Sequence, residues 1–380
     1  MLIEIQNVGF VNKGAELMLY AILQEIKSKY PYAEFVMTPN LNISPFKKRA
    51  SLGIYQKVTY EKMGIDIGDI FISFISKKRR EMYGLVRTKD VDVVLDAAGF
   101  AHGDQWGVKN TKKLFNYSKK LKKNNKKLIL LPQAFGPFSN NEIKENMKNL
   151  IKNCDLVFAR EEVSFNYLKN IDANSNNIYN MPDFTNLVKA TSVDFNFENN
   201  DFCIIPNYKM VSKNWIGSNG NSYLELISKS IKYLRQKGKK PFILIHEGKK
   251  DSLLAESISN EVGGINIFKE EDPLKVKGIL NGVSGVIGSR FHSLVSSLSQ
   301  ATPALGTSWS HKYQMLFKDY NFEKGILNLD SSDSEIYEKI DLIINEDTNK
   351  EIIKKLEEKS LKLKELTKQM WEKVFETLEK

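Results

Sequence analysis

The sequence predicts an α/β protein of two doubly wound, Rossmann-like domains in tandem, followed by a helical tail. Three observations carry that expectation. Short apolar runs alternate with longer stretches of helical periodicity, the pattern of a parallel sheet covered on both faces. The alternation pauses once, across residues 187–200, and then restarts. The 380 residues exceed one ordinary core and suit two domains of about 150–200 residues each.

The first domain is expected over 1–190. Its strands read at 2–8 (LIEIQNV), 33–37, 91–96 (VDVVLD), 128–132 (LILLP), 155–159 (DLVFA) and 177–181. Its helices read at 14–29, 66–82, 108–123, 140–152 and 161–169. The polar stretch LVKATSVDFNFENN suits a linker. The second domain is expected over 200–330, with strands at 201–206, 241–246, 264–268, 283–288 and 303–306. Helices fall between them at 221–237, 251–262, 272–281, 291–300 and 310–319. The tail, 331–380, has helical character throughout. Ile353, Leu356, Leu361, Leu363, Leu366, Met370, Trp371, Val374 and Leu378 recur at near-helical spacing, as in an amphipathic helix packing back on the domains, with a membrane-facing or oligomeric helix as the alternative.

Hydrophobic residues make up 42% and charged residues 27%, enough for packed cores under a polar surface. No apolar run approaches the ~18–20 residues of a membrane-spanning helix. MLIEIQNVGF reads directly as a strand, with no basic segment of a secretory signal. Cys154 and Cys203 lie in apolar strands and are expected as buried free thiols, which fits a cytoplasmic protein. No Cys/His spacing suggests a metal site, so neither metal nor cofactor is expected.

The net charge of +10 is unevenly placed. Residues 112–127 hold eight lysines and no acid, and Lys47-Lys48-Arg49 and Lys77-Lys78-Arg79-Arg80 are further basic clusters. A solvated helix face is the plain reading. Attraction to an anionic membrane surface or a lipid-linked substrate is the alternative, making the protein peripheral at the inner face of the membrane. No nucleic-acid module accompanies the charge, so nucleic acid is not an expected partner.

In doubly wound sheets ligands bind beyond the carboxyl ends of the strands. The strongest candidate there is GVIG followed by Ser289, Arg290, Phe291, His292 and Ser293 and a helix. Two cations at a helix N-terminus are unfavourable unless an anion is present. Arg290 supplies a permanent charge and His292 a group suited to proton transfer near neutrality. Another helix begins at His311 and Lys312, suggesting a shared anion site. Earlier, Asn12 sits between Gly9 and Gly14 at the first strand-to-helix turn, as ligand donor or turn former. Asp96 ends an apolar strand before a Gly-rich loop with His102, Asp104 and Trp106. Gln133 follows the next strand. Arg160 emerges from another, placed to hold a carboxylate or phosphate, or to pair with Glu161, Glu162 or Asp183. Asp183 could cap, pair or act as a base.

The sequence resembles the polysaccharide pyruvyl transferase family. The resemblance rests on NKGAELML, LPQAFGPF, FAREEVSFNYL, MPDF, GSRFHSLVSSLSQATPALG and SHKYQML, in the family's order across roughly residues 1–320. It implies a glycosyltransferase-B-like pair of Rossmann-type domains. It also implies transfer of the carbon unit of phosphoenolpyruvate, a co-substrate rather than a cofactor, onto two sugar hydroxyls as a pyruvate ketal. The family's arginine after its fifth strand matches Arg160, its Arg-Leu-His motif matches Arg290-Phe291-His292, and its later lysine matches Lys312. Many members carry Gly-Asp-Glu where this chain has Gly14-Ala15-Glu16, so no role passes to that aspartate.

On this reading His292 and Arg290 are catalytic. Arg160, Arg290, Lys312, Ser289 and His311 hold the donor. Asn12, His102, Asp104, Gln133, Asp183 and Trp215 are candidates for the acceptor, a lipid-linked or oligosaccharide precursor of a surface polysaccharide. A nucleotide-sugar glycosyltransferase on the same architecture is the alternative, and a non-catalytic glycan or anion binder a third.

Overall fold

In a computed structural model, the residues described are 1–59, 61–62, 65–211, 221–307 and 310–380. The chain divides into two compact units. One comprises Met1–Val11, Met18–Phe184 and Thr367–Lys380; the other comprises Asn12–Leu17 and Thr185–Leu366.

The first unit opens with β1 (Leu2–Gln6), α1 (Lys13–Lys29) and β2 (Glu34–Met37). Next come α2 (Phe46–Ser51), β3 (Ile54–Lys57) and a short antiparallel pair, β4 (Glu61–Lys62) with β5 (Ile65–Asp66). Helices α3 (Ile67–Ser73) and α4 (Lys77–Met82) lead to β6 (Leu85–Val86), β7 (Val93–Asp96) and β8 (Phe100–His102). The rest is α5 (Val108–Lys123), β9 (Lys127–Phe135), α6 (Asn141–Ile151), β10 (Leu156–Ala159), α7 (Glu162–Ile171) and β11 (Ile178–Asn180). The order β11-β10-β9-β7-β1-β2-β3-β6 is parallel throughout, and β8 adds to the end of β9. Strand succession reverses at β1, leaving β7 and β2 on its two sides.

The second unit holds β12 (Phe202–Ile205), α8 (Asn221–Gln236), β13 (Pro241–Ile245), α9 (Gly248–Glu261) and β14 (Ile267–Lys269). It continues through α10 (Pro273–Gly282), β15 (Gly285–Gly288), α11 (Phe291–Leu298), β16 (Ala304–Thr307), α12 (His311–Asp319) and β17 (Ile326–Leu327). Helices α13 (Asp333–Ile344) and α14 (Glu346–Glu379) end the chain. The parallel order β14-β13-β12-β15-β16-β17 is the 3-2-1-4-5-6 order of a dinucleotide-type domain, with its switch point between β12 and β15. Its inner strands β12, β13, β15 and β16 are buried on both faces, which is why they read as continuous apolar runs.

Several elements differ from expectation. The helix expected at 66–82 is two short ones, α3 and α4, with a new N-cap at Ser76. Strands β3, β6, β8 and β17 are short, and β3 mixes Ile54 with Lys57, whose ammonium is buried on Glu4 at 2.8–2.9 Å. β9 continues past Pro132 to Phe135. The register against β10 shifts there, which absorbs the N–H that proline lacks.

The polar stretch 187–200 packs as a strap. Phe195 lies 5.2 Å from Phe242 and 4.9 Å from Phe268, and the space beside Gly278 is filled by the Thr191 carbonyl. Of the basic clusters, Arg49 is buried on the carbonyls of Ser44 and Tyr55, and Arg80 pairs with Asp90 at 3.3 Å. Cys154 and Cys203 are buried free thiols, both pushed up by desolvation. Among the described residues no helix is long and apolar enough to cross a membrane.

The end of α14 is integral to the first unit. Met370, Trp371 and Val374 are buried, and the Trp371 ring meets Phe184 edge-on at 6.3 Å. Leu361 and Leu366 on the same helix are exposed, so the apolar stripe is interrupted. Trp371→Ala is expected to cost about 3–5 kcal/mol of stability in urea denaturation. A loss below about 1 kcal/mol would mean that the tail is not part of the folded core.

Candidate active site

The second unit gathers charged and titratable groups along the carboxyl edge of its sheet, where helix N-termini and loops converge. Ser289 directly follows β15, and its N–H donates to the Ile205 carbonyl of β12 at 2.9 Å. Its hydroxyl lies 2.6 Å from the Tyr223 hydroxyl and accepts from Thr307 at 2.7 Å. Its carbonyl accepts from Asn207 at 2.9 Å and from the Tyr313 hydroxyl at 3.2 Å. Ser289 is thus a buried tie between β12, β15, β16 and two helices. The structure engages its hydroxyl in this network.

Arg290 comes next, buried beside α9. Its Nε and Nη2 donate to both carboxylate oxygens of Asp251 at 2.6–3.1 Å, and Nη1 donates to Glu247. Burial pushes the Asp251 carboxyl up and the Arg290 guanidinium down. The bidentate contact opposes both shifts and keeps the pair ionised. Arg290 is therefore a compensated charge, where the sequence suggested one waiting for an anion. His246, Glu247 and Asp251 were not anticipated. Their signal is the charged run HEGKKD directly after the apolar β13, one strand away from β12.

His292 lies in the first turn of α11, and Gly14 at the start of α1 lies against its ring. A Cβ on Gly14 would fall 2.5–2.7 Å from the His292 ring atoms. The same turn is held by Asn12, whose side chain accepts from the Gly14 and Ala15 N–H groups at 2.9 and 3.3 Å. Asn12 shapes the turn, one of its two expected functions. The Lys13 N–H reaches the His246 carbonyl at 3.4 Å, and the Lys13 ammonium is buried on Glu16 at 2.8 Å and the Glu271 carbonyl at 2.7 Å. His246 is buried, and its Nδ1 has no hydrogen-bond partner among the described residues. Desolvation, then the charges of Arg290, His292 and Lys13, holds its pKa well below the usual range. Lys209 is lowered by burial and by Arg290. Lys312 in α12 lies over the Phe291 ring at 5.2 Å and the Tyr313 ring at 5.5 Å, and His311 is the first residue of that helix.

The first unit carries a separate polar cluster at its own switch point. Asn7, in a left-handed conformation with φ 62°, donates to Asp96 at 2.6 Å. Gln133 donates to the other Asp96 oxygen at 3.1 Å, leaving its buried Oε1 with no hydrogen-bond partner among the described residues. The buried Nε2 of His102 is in the same condition, while Nδ1 faces the Thr111 hydroxyl at 3.2 Å. Arg160 bonds Asp183 at 3.1 Å and the Gly99 carbonyl at 3.2 Å, so the expected alternative of an internal ion pair is the one present. Asp104 accepts from the Ser139 and Asn140 N–H groups at 2.8 and 3.1 Å, a turn-closing contact. Trp215 lies outside the described residues. Among those described, no group of three His, Cys, Asp or Glu side chains could hold a metal ion.

The model of the polysaccharide pyruvyl transferase family matches residues 12–311, from the Asn12 turn through His311. The chain belongs to that family. No curated protein matches the sequence. The fold is of glycosyltransferase-B type. A UDP-GlcNAc 2-epimerase from Neisseria meningitidis, solved with UDP-GlcNAc, has a TM-score of 0.59 at 12% identity, covering 99% of each chain. A putative UDP-N-acetylglucosamine 2-epimerase from Listeria monocytogenes gives 0.58 at 11% identity over 93% of this chain and 90% of its own. Anabaena HepE in complex with UDP-glucose gives 0.59 at 9% identity over 99% of each chain. At such identities the likeness is one of fold.

Two measurements test this member's site geometry. Gly14→Ala must displace the His292 ring or the α1 turn. The expected result is a loss of about 1–3 kcal/mol and a shifted His292 ring resonance in NMR; no change in either would remove the contact. The second is pH dependence. His246 stays neutral in the folded state but takes a proton near pH ~6.5 when unfolded. The unfolded state then binds more protons, so stability falls as pH drops below ~6.5 towards the folded pKa, by at most about 1.4 kcal/mol per pH unit from this group. His102 shifts in the same direction, so the difference between wild type and His246→Gln isolates His246. Equal slopes for the two proteins would refute the assignment.

Proposed function

We propose that the protein transfers the pyruvyl unit of phosphoenolpyruvate onto two hydroxyls of one sugar in a surface-polysaccharide precursor. One acceptor hydroxyl adds to C2 as C3 takes up a proton. The second then displaces phosphate at C2, losing its own proton and closing the ketal. One donor and one diol become one ketal and one phosphate.

The observation that carries this reading is the Arg290–His292 corner. It lies inside the family-matched segment and sets an imidazole against a helix N-terminal turn beside a buried guanidinium. Such a corner favours a bound anion next to a proton-transfer group. We assign the proton transfers to His292. Arg290 holds the donor by exchange of partners. Asp251 is almost fully buried, whereas the Glu247 side chain is 30% exposed and is the cheaper one to displace. Lys312 and Lys209 add positive charge for the departing phosphate. The orphaned Nδ1 of His246 is a hydrogen-bonding group available to the donor. Arg160 is given no step, since Asp183 and Gly99 already hold it.

A second reading draws on the fold likeness to proteins solved with UDP-GlcNAc and UDP-glucose: a nucleotide-sugar enzyme using the same sheet edge. A phosphate-release assay and thermal shifts separate the two. The expected result is phosphate release from phosphoenolpyruvate only when a glycan acceptor is supplied. His292→Ala should lower turnover by about 10²–10⁴-fold while leaving donor binding largely intact. Arg290→Ala should weaken donor binding itself. Stabilisation by UDP-sugars, with neither binding nor turnover of phosphoenolpyruvate across a broad acceptor panel, would replace the first reading with the second.

A further inference from the structure

Among the described residues, nine of the sixteen exposed large apolar side chains fall within residues 41–83 of the first unit. Scattered exposed apolar residues need no explanation, but a concentration of this kind marks an interaction surface. Phe74 is 83% exposed, Phe71 69%, and Phe46 and Met82 68% each. Leu41 and Tyr83 are similarly open. These side chains sit on α2, α3, α4 and the turns beside them.

The topology places those helices on one face. β1, β2, β3 and β6 succeed one another in one direction across the sheet, so right-handed crossovers put α1, α2 and the α3–α4 pair on the same side. β7, β9, β10 and β11 run the other way, so α5, α6 and α7 cover the opposite side. The lysine-rich α5, where sequence pointed to membrane contact, therefore faces away from the apolar patch.

The charge at the patch selects its occupant. Lys47, Lys48, Lys77, Lys78 and Arg79 are exposed on the same short helices, against a single exposed acid, Glu81. Arg49 and Arg80 are turned inward, Arg49 donating to the Ser44 and Tyr55 carbonyls and Arg80 to the Ile75 carbonyl and Asp90. Aromatic and aliphatic side chains interleaved with lysines, on helices of six or seven residues that cannot span a bilayer, match an interfacial surface. We propose that the α2–α3–α4 face is a docking surface for an anionic lipid bilayer, its aromatic rings entering the headgroup layer and its lysines pairing with the lipid charge. This does not depend on the pyruvyl transfer reading, since binding to vesicles is measured without donor or acceptor.

The test is sedimentation of the full chain with vesicles of phosphatidylglycerol and phosphatidylcholine, against phosphatidylcholine alone. Binding to the anionic vesicles is expected, at least ~10-fold weaker on the neutral ones and in ~0.5 M salt. Phe71→Ser with Phe74→Ser should weaken it at least ~10-fold without changing the melting temperature, because both rings are in solvent. Lys47→Glu with Lys78→Glu should do the same by removing the charge. Lys120→Glu with Lys123→Glu, on α5, should leave binding unchanged. The proposal is overturned if the wild type stays with the supernatant, if the phenylalanine variant binds as well as wild type, or if the α5 variant loses binding equally. A wild-type dimer that the phenylalanine variant converts to a monomer would instead assign the patch to a second copy of the chain.

Discussion

A guanidinium carried out of water at the end of β15 can persist only if something compensates it, and the architecture of the second unit follows from how that is done. Asp251 meets Arg290 with both oxygens and Glu247 meets its remaining edge. These acids stand on the first turn of α9 and just before it, so the ion pair locks the β13–α9 loop to the β15–α11 loop. Ser289, one residue earlier, ties β12, β15 and β16 together through its backbone and hydroxyl. A buried pair of this kind contributes little net stability, because desolvation offsets most of the attraction. What it supplies is position: Arg290 and His292 are held where the helix dipole of α11 and the turn at Gly14 meet.

That arrangement explains why so much polar material collects at one edge of each sheet. In a parallel sheet all strands end on the same side, and the helices that follow begin there with unpaired N–H groups. Asn7, Asp96 and Gln133 meet at the switch point of the first sheet; Asn207, Tyr223 and Ser289 meet at that of the second. The two clusters differ in charge. The first gathers amide side chains around the Asp96 carboxylate, with Arg160 paired to Asp183. The second concentrates cations and carboxylates around Arg290.

The second half of the molecule was the more legible. Its inner strands β12, β13, β15 and β16 are buried on both faces, so each announced itself as a continuous apolar run bounded by turns, while the short edge strand β17 did not. The first half hid its outer strands, because β3 and β6 are short and carry residues such as Lys57 that find buried partners only across the sheet. The strap at 187–200 read as a free linker because its two phenylalanines are spaced among polar residues. Only the aromatic cluster with Phe242 and Phe268 reveals them as packed against the core.

The sequence by itself determined the class of fold and the restart of the strand–helix alternation that marks two parallel sheets, and it singled out the charge at Arg290. Those follow from local periodicity and from a charge placed directly after an apolar strand. Only the tertiary structure decided what each charged group does. Arg160 and Arg290 looked alike as cations at strand ends, yet each already has its carboxylate, one 23 residues away and the other 39. His246 and Glu247 became part of the site because β13 lies one strand from the switch point. Such pairings depend on which strand neighbours which, and strand order is set by long-range packing that no local pattern encodes.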